Sequence, residues 1–362
     1  MLSKARLAFY IFLLFILGCL TYVLIMLLNY ENGSAPCPHS EAKILELKQN
    51  MTEPIDIVYT WVDGEDDVRN ALRQKIKDEL DGVEQSTEHN STTPNRFLNF
   101  NEIEYSVRSV KLYAPWIRNI FIVCSGGQIP KSVVNIEGVK IIYEEDLVED
   151  HSVRPTFNSH AIECCIHRIP GLAERFIYSC DDMFICQPIE PSFFFTDDNI
   201  MRLRQHSSKK TSRCDIESNS IPHSKAWSNN NTNLDKVCGY EIRAYPSHQM
   251  TAMTISAMKD AEETFQDVWF ETEKHQFRHK TDIHPFGLAQ YLASYRKTAK
   301  WEHYSNNYNF IMAKDNTMVN YIKFIYFIHN KSSLKCMNDN TSHTKERVDK
   351  QVKKLLQRLV QI

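Results

Sequence analysis

Short, uninterrupted apolar runs that end in polar turn residues recur through the first half of the chain. Runs of this length, rich in β-branched and aromatic residues, predict buried strands, and apolar positions spaced three and four residues apart predict helices between them. This alternation predicts an α/β fold with a mostly parallel sheet and flanking helices. The predicted strands cover residues 55–64, 119–124, 139–143 and 176–180, and the predicted helices begin at residues 67, 101 and 158.

The longest apolar run, residues 7–28, contains no charged residue. At about 20 residues such a run is long enough to cross a bilayer as a helix. Basic residues precede the run and an acidic residue follows it, which favours a cytosolic tail at residues 1–6. A cleaved signal peptide is the alternative, but the run is longer than a usual signal core and lacks a clear cleavage site. We therefore expect an uncleaved transmembrane anchor of single-pass type II topology, followed by a lumenal stem at residues 29–54.

Asn-x-Ser/Thr triplets agree with a lumenal location in the Golgi or in another membrane of the secretory pathway. Each triplet alone is a weak signal, because the motif is frequent by chance. Together they predict a glycoprotein. The acceptor asparagines are Asn32, Asn50, Asn90, Asn230, Asn330 and Asn340.

The second half of the chain alternates polar stretches with amphipathic ones. Residues 201–239 are rich in Ser and Asn and are predicted to form a variable loop, which a disulfide between Cys214 and Cys238 could close. Residues 341–362 carry apolar positions at helical spacing and a lysine-rich polar face. They predict a C-terminal amphipathic helix that packs on the domain, with the membrane surface as the alternative. Further helices are predicted over residues 247–259, 261–272 and 287–295.

The composition is that of a globular protein. The chain has 362 residues, of which 43% are hydrophobic and 24% are charged, enough for one large domain or two smaller ones. The formal net charge of −3 gives no electrostatic basis for a nucleic-acid partner. One of the ten cysteines lies inside the predicted anchor, so the other cysteines are odd in number and cannot all pair within one chain.

Asp181 and Asp182 directly follow the predicted strand over residues 176–180. Ligands of open α/β sheets bind outside the carboxyl ends of the strands. Buried carboxylates are costly unless they are paired or bound to a metal. Two adjacent carboxylates at such a strand end therefore indicate a cation site, and a simple polar turn is the alternative.

Four blocks of the sequence resemble the four signature regions of the Stealth family of sugar-1-phosphate transferases. They occur in the family's order and cover most of residues 55–340. The blocks are residues 55–64 (IDIVYTWVDG), residues 96–182 with the Asp pair at their end, residues 246–248 (PSH) with 275–279 (HQFRH), and residues 336–339 (CMND).

The resemblance implies a nucleotide-diphospho-sugar transferase-like, Rossmann-like fold for a catalytic domain at residues 55–340. It implies transfer of a sugar-1-phosphate, with N-acetylglucosamine-1-phosphate as the first expectation, from a UDP-sugar to a hydroxyl of a glycan or glycoprotein acceptor. The products are a phosphodiester and UMP. Negative charge that builds on phosphate oxygens needs positioned cations, and Mg²⁺ or Mn²⁺ suits carboxylate ligands. The oligomeric state stays open, a homodimer included.

Candidate residues for the chemistry lie within the matched blocks. Asp181 and Asp182 are the expected metal ligands, although neighbours in an extended chain face opposite ways, so that one could ligate while the other orients a nearby group. His248 is the expected general base, because imidazole is tuned for proton transfer near neutral pH. Arg278 is expected to bind phosphate oxygens through its planar guanidinium. Asp339 is expected to orient the base or a ligand. A turn or a structural role is the alternative for each.

A second group of residues is expected nearer to the nucleotide. Gln128 follows two glycines, which permit close approach of the backbone to a ligand. Arg168 could reach the diphosphate or simply neutralise a carboxylate, and Glu163 accompanies it on the same helix. The whole group comprises Asp63, Gln128, Arg168, His275 and Asp282.

Two other functions fit the same residues. A metal-dependent glycosyltransferase would use the Asp pair in a similar way but would release UDP. A membrane-anchored, non-catalytic subunit would bind a glycan without turnover. The released nucleotide distinguishes the first alternative from phosphotransfer, and turnover distinguishes the second.

Overall fold

The computed structural model describes residues 40–50, 53–81, 100–148, 150–211, 222–302, 308–340 and 346–360, together with five residues between 15 and 22. The predicted cytosolic tail and most of the predicted anchor lie outside the described residues, as do Cys214, Asn32 and Asn90. Within the described part of the chain, no helix combines the length and the apolar character that crossing a membrane requires.

A five-stranded sheet forms the centre of the fold. Strands β1 to β4 are parallel to one another, and β8 at the edge runs antiparallel to β4. The four parallel strands coincide with those predicted, because parallel strands covered on both faces have nearly continuous apolar sequences. The spatial order is β3-β2-β1-β4-β8, with β1 at Ile55–Thr60, β2 at Ile120–Cys124, β3 at Val139–Tyr143, β4 at Arg175–Cys180 and β8 at Thr251–Thr254.

Two three-stranded sheets extend the fold. Strand β5 (Met183–Ile185) follows β4 after two residues and pairs antiparallel with β11 (Leu334–Asn340), which in turn pairs parallel with β10 (Tyr308–Lys314). The chain therefore passes from the central sheet into this second sheet at the Asp pair. The third sheet has the order β7-β6-β9, with β6 at Met201–Thr211, β7 at Arg243–Pro246 and β9 at Ala299–Glu302.

Helices cover the sheets and bury their apolar faces against them. Near the C-terminus, the apolar residues of the helix Glu346–Val360 are buried between the helices Glu102–Tyr113 and Thr317–His329, in a cluster shared with the second sheet. Each fully buried large apolar side chain contributes about 1.5–3 kcal/mol, so this packing holds β10 and β11 in place. The helices are α1 (Glu41–Asn50), α2 (Asp67–Asp81), α3 (Glu102–Tyr113), α4 (Ser159–Cys165), α5 (Pro222–Cys238), α6 (Ile255–Thr264), α7 (Gln266–Lys274), α8 (Pro285–Tyr295), α9 (Thr317–His329) and α10 (Glu346–Val360).

The prediction of a variable loop over residues 201–239 is wrong for most of that range, which forms β6 and α5. Asparagine disfavours helix interiors because its side chain competes for backbone hydrogen bonds. In α5 the amides of Asn229 and Asn230 instead donate to backbone carbonyls just before α8, and Trp227 is buried beside them. These tertiary contacts outweigh the low local helix propensity.

The same contacts remove Asn230 from the predicted glycosylation sites. Its side chain is fully buried. The amide nitrogen donates to the His284 carbonyl at 2.8 Å, and the amide oxygen accepts from the His284 backbone nitrogen at 3.0 Å. Because N-glycans are bulky surface groups attached to that nitrogen, a glycan at Asn230 does not fit this structure.

The helix predicted over residues 247–259 begins only at Ile255. The four residues before it form β8, which pairs with β4 along the edge of the central sheet. The Thr254 hydroxyl then accepts a hydrogen bond from the Ala257 backbone nitrogen at 3.1 Å and caps α6. Pairing with a distant strand decides the start of this helix, and local periodicity does not show it.

Candidate functional site

The Asp pair lies in the turn between β4 and β5, at the carboxyl edge of the central sheet. The backbone carbonyl of Asp182 accepts a hydrogen bond from the Met337 nitrogen at 3.0 Å. The side-chain Oδ2 atom of Asp182 lies 3.3 Å from Cys336 Sγ. The Oδ1 atom is buried and has no hydrogen-bond partner among the described residues. A buried carboxylate oxygen without a partner is costly, so a ligand is needed to satisfy it.

Both carboxyl groups of the pair have raised pKa values. Burial raises the pKa of Asp181 and of Asp182, and the negative charge of Asp182 raises the pKa of Asp181 further. Solvent still reaches both side chains in part, so an ion could enter. A divalent cation would relieve the repulsion and fill the open coordination of Asp182 Oδ1. The two carboxylates therefore fit a bound Mg²⁺ or Mn²⁺.

His248 lies between β7 and β8 and faces Asp182. Ligand atoms of His248, Asp182 and Cys336 all lie within 4.8 Å of one another. The imidazole is exposed to solvent, yet enough protein surrounds it that partial burial lowers its pKa below the ordinary value. The ring also meets Phe310 edge-on, with centroids 6.2 Å apart. A neutral, accessible imidazole beside a cation site can accept a proton from a bound hydroxyl.

Glu163 and Arg278 lie near the same strand end, and the charge of each influences the pKa of the other. Glu163 is buried and Arg278 is partly exposed. Burial raises the pKa of Glu163 to about 7, against the opposing charge of Arg278. Glu163 Oε1 accepts from the Tyr178 hydroxyl at 3.0 Å, which lies 3.1 Å from Thr60 Oγ1. Arg278 Nη2 donates to Ser159 Oγ at 2.7 Å, and burial lowers its pKa while Glu163 opposes that shift.

Glu163 has no role of its own that can be assigned from the sequence, but the structure indicates one. A carboxyl group with a pKa of about 7 can hold or release a proton at neutral pH. The available signal was its place in the second matched block, on α4. Only the fold shows that this glutamate is buried and accepts a hydrogen bond from Tyr178.

The loop that carries Arg278 is fixed by Asp282. Its carboxylate accepts from the His279 backbone nitrogen at 2.9 Å and from Asn158 Nδ2 at 2.8 Å. Its other oxygen lies 2.6 Å from His275 Nδ1. Burial alone raises the pKa of Asp282, but hydrogen bonds from His160 and His275 outweigh burial and lower the pKa to about 2. The predicted site residues His275 and Asp282 thus contact each other, and Asp282 positions the loop that carries Arg278.

Replacing Asp282 with asparagine is expected to cost about 2 kcal/mol of unfolding free energy at pH 7. The carboxylate is ionised more readily in the folded state than in the unfolded one, whose pKa is near 3.8. Its stabilisation is therefore complete above about pH 4 and is lost as the pH falls towards 2. Urea unfolding of wild type and variant between pH 7 and pH 3 measures this.

The matched control is Asp260→Asn, which breaks an exposed pair with Arg296. Exposed ion pairs contribute about 0–1 kcal/mol, so this variant should stay close to wild type at every pH. A difference between wild type and Asp282→Asn that is unchanged at pH 3 would contradict the assignment of the low pKa to Asp282.

Asp63 and Gln128 lie at the same edge of the central sheet, beyond β1 and β2. Gln128 Oε1 accepts from the Asp63 nitrogen and Gln128 Nε2 donates to the Asp63 carbonyl, both at 3.0 Å. The Asp63 carboxylate accepts from the Glu65 nitrogen at 3.0 Å within its own turn. Gln128 Nε2 also donates to Asp66 Oδ2 at 3.0 Å. The two residues therefore connect neighbouring loops.

Arg168 is paired with carboxylates of two helices, α6 and α7. Its Nη2 atom donates to Glu273 Oε2 at 2.9 Å and to Glu262 Oε1 at 2.5 Å. Of the two roles considered from the sequence, these contacts favour neutralisation of carboxylates over a diphosphate contact. Asp339 lies on β11, but its side chain lies outside the described part of the chain.

Comparison with known proteins shows which families and relatives this chain resembles. Residues 53–81 match Stealth protein CR1, conserved region 1, and residues 96–203 match Stealth protein CR2, conserved region 2. The Haemophilus influenzae protein named capsular polysaccharide phosphotransferase fcs1 is 30% identical over 285 residues, which cover 74% of this chain and 74% of that protein. The Streptomyces coelicolor protein named exopolysaccharide phosphotransferase SCO6021 is 34% identical over 253 residues, which cover 69% of this chain and 45% of that protein.

The extent of these matches differs between relatives. The matched region spans less than half of SCO6021. It spans 42% of the Mycobacterium tuberculosis protein named exopolysaccharide phosphotransferase CpsY. Among solved structures, that of the galactosyltransferase LgtC aligns over 83% of this chain and 95% of that one, with 10% identity and a TM-score of 0.41, too low to carry an argument. The two conserved regions and the similarity to fcs1 over 74% of both chains show that the chain belongs to the Stealth family.

Proposed function

We propose that this protein transfers a sugar-1-phosphate from a UDP-sugar to a hydroxyl group of a glycan acceptor, forming a phosphodiester and releasing UMP. N-Acetylglucosamine-1-phosphate is the proposed group transferred. Relatives named as capsular and exopolysaccharide phosphotransferases support this reaction class. The observation that carries the proposal is the convergence of His248 on Asp182 within 4.8 Å, in the turn after β4 that also contains Asp181.

Each side chain has a defined task in this reaction. His248 accepts the proton of the acceptor hydroxyl as its oxygen attacks the β-phosphorus of the donor. The Arg278 guanidinium stabilises negative charge on the equatorial oxygens, and Glu163 keeps that guanidinium compensated before substrate binds. Asp181 and Asp182 would hold Mg²⁺ or Mn²⁺, which supplies charge neutralisation at the diphosphate. Tyr178 and Ser159 orient Glu163 and Arg278.

The cellular placement is part of the proposal. A type II membrane protein of the Golgi or another secretory compartment would meet UDP-sugars and glycans on the lumenal side. The uncharged apolar run at residues 7–28, with basic residues before it, supports this placement.

The expected product is a phosphodiester that keeps the β-phosphorus of the donor. The test incubates the purified full chain with UDP-N-acetylglucosamine labelled with ³²P in the β-phosphate, a panel of glycans, and Mg²⁺ or Mn²⁺. Phosphotransfer moves the label to the acceptor and leaves unlabelled UMP. Glycosyl transfer leaves the label in UDP.

The two outcomes separate the leading function from its alternatives. Label in UDP with sugar on the acceptor would overturn phosphotransfer in favour of an ordinary glycosyltransferase. Donor binding without any product over the whole panel would favour a glycan-binding subunit. The variant His151→Gln changes an exposed histidine outside the site. It should behave as wild type, and it controls for effects of expression and purification on activity.

A further inference from the structure

A second kind of metal ligand lies beside the Asp pair. The side chains of Asp182, His248 and Cys336 offer a carboxylate oxygen, an imidazole nitrogen and a thiol sulfur within 4.8 Å of one another. The reaction proposed above uses the first two, but it gives the thiol of Cys336 no task. A thiol is also a poor ligand for Mg²⁺, which prefers oxygen.

The fold itself holds these three groups together. Cys336 pairs with Met183 in the antiparallel register of β11 with β5, and the next residue of β11 donates its backbone nitrogen to the Asp182 carbonyl. The Cys336 side chain is fully buried and its Sγ atom lies 3.3 Å from Asp182 Oδ2. His248 reaches the same point from the solvent side, between β7 and β8. The set therefore needs no rearrangement of the backbone.

The geometry suits a small tetrahedral ion. Zinc binds sulfur at about 2.3 Å and nitrogen or carboxylate oxygen at about 2.0–2.1 Å, which sets ligand atoms roughly 3.3–3.6 Å apart. Asp182 and Cys336 already have a similar separation, and a nitrogen of the exposed His248 imidazole lies within 4.8 Å of both. Three protein ligands would leave the fourth zinc position to water or to another group. The free Oδ1 atom of Asp182 adds a further acceptor without a partner among the described residues.

We propose that Asp182, His248 and Cys336 form a zinc-binding site, and that zinc bound there blocks the active site. On binding, the Cys336 Sγ–H proton is released to solvent as the zinc–sulfur bond forms. The ion then occupies the imidazole needed as the base and one of the two carboxylates needed for Mg²⁺ or Mn²⁺. Binding is independent of the reaction, whereas the inhibition rests on the proposed function.

Cobalt(II) is the spectroscopic probe for this site, because a thiolate ligand gives it a near-ultraviolet charge-transfer band that oxygen ligands do not give. We expect metal-free full-length protein to develop this band with one equivalent of Co²⁺ and to lose it when Zn²⁺ is added. In Cys336→Ser the band should disappear. The matched control is Cys186→Ser, which changes another buried cysteine of the same sheet region, and there the band should persist.

Competition with a chromogenic chelator gives the zinc affinity itself. We expect at least a tenfold weaker affinity in Cys336→Ser and in His248→Gln, and an unchanged affinity in Cys186→Ser. The exposed position of His248 makes its variant safe for folding should Cys336→Ser prove unstable. A wild-type protein without the band, or a band and affinity equal in Cys336→Ser, would overturn the site.

Inhibition is measured separately, with the donor-labelling assay at fixed Mg²⁺. The zinc concentration for half-inhibition should rise at least tenfold in Cys336→Ser, relative to the uninhibited rate of that variant, and should not change in Cys186→Ser. Binding without inhibition of an active enzyme would overturn the regulatory part. A cobalt band in a protein that never turns over would instead overturn the proposed function and leave the zinc site standing.

Discussion

Replacing Asp182 with asparagine is expected to lower kcat/KM for the UDP-sugar by about a thousandfold. The change keeps the size of the side chain and its contact with the Cys336 thiol, but it removes a negative charge from the proposed cation site. The diphosphate then loses part of its neutralising charge during transfer. Initial rates at saturating and limiting Mg²⁺ measure this, and excess Mg²⁺ should restore little of the loss.

Folding of this variant should be intact. Burial raises the pKa of Asp182, so the ionised carboxylate is disfavoured in the metal-free folded state. A neutral amide should therefore leave the thermal midpoint in a chelator unchanged or higher. The control is Asp197→Asn, which changes an exposed carboxylate and should leave both rate and midpoint as in wild type. Near-normal turnover of Asp182→Asn would remove Asp182 from the site.

Replacing His248 with alanine is expected to lower kcat by about 10²–10⁴-fold, the usual contribution of a positioned general base. The KM for the donor should change far less, because the imidazole is proposed to contact the acceptor hydroxyl. Free imidazole should restore part of the rate, since the exposed side chain leaves a space that solvent and small bases can enter.

The control for this rescue is His151→Ala, an exposed histidine outside the site. Imidazole should not change its rate. If alanine at position 248 lowers the rate and added imidazole restores nothing, His248 positions other groups and does not carry the proton.

The parallel strands of the central sheet could be predicted from the sequence, whereas its antiparallel edge strand β8 and the short strand β5 of the second sheet could not. Strands β1, β2 and β4 are covered on both faces, so almost every residue in them is buried and most are apolar. Strand β5 has three residues and β8 has four, too few to show a period. Their existence depends on partners far along the chain, which no local pattern reveals.

The residues of the candidate site also fall into two groups: those that the sequence predicts, and those whose role only the structure shows. The Asp pair, His248 and Arg278 stand in recognisable sequence blocks, and their residue types indicate phosphate chemistry. Burial decides the role of the others. Arg168 has the same chemistry as Arg278, but its two carboxylate partners give it a structural position. For Cys336, only the pairing of β11 with β5 shows that the thiol faces Asp182.

That pairing also sets an order of events during synthesis. Asp182 and Cys336 are 154 residues apart, so at about 5–20 residues per second the ribosome needs roughly 8–30 s to make the intervening chain. Until Cys336 has been synthesised, Asp182 in the nascent chain has no thiol beside it. Assembly of the reactive centre is therefore a late step of biosynthesis, completed only after the segment after residue 333 has been translated and docked.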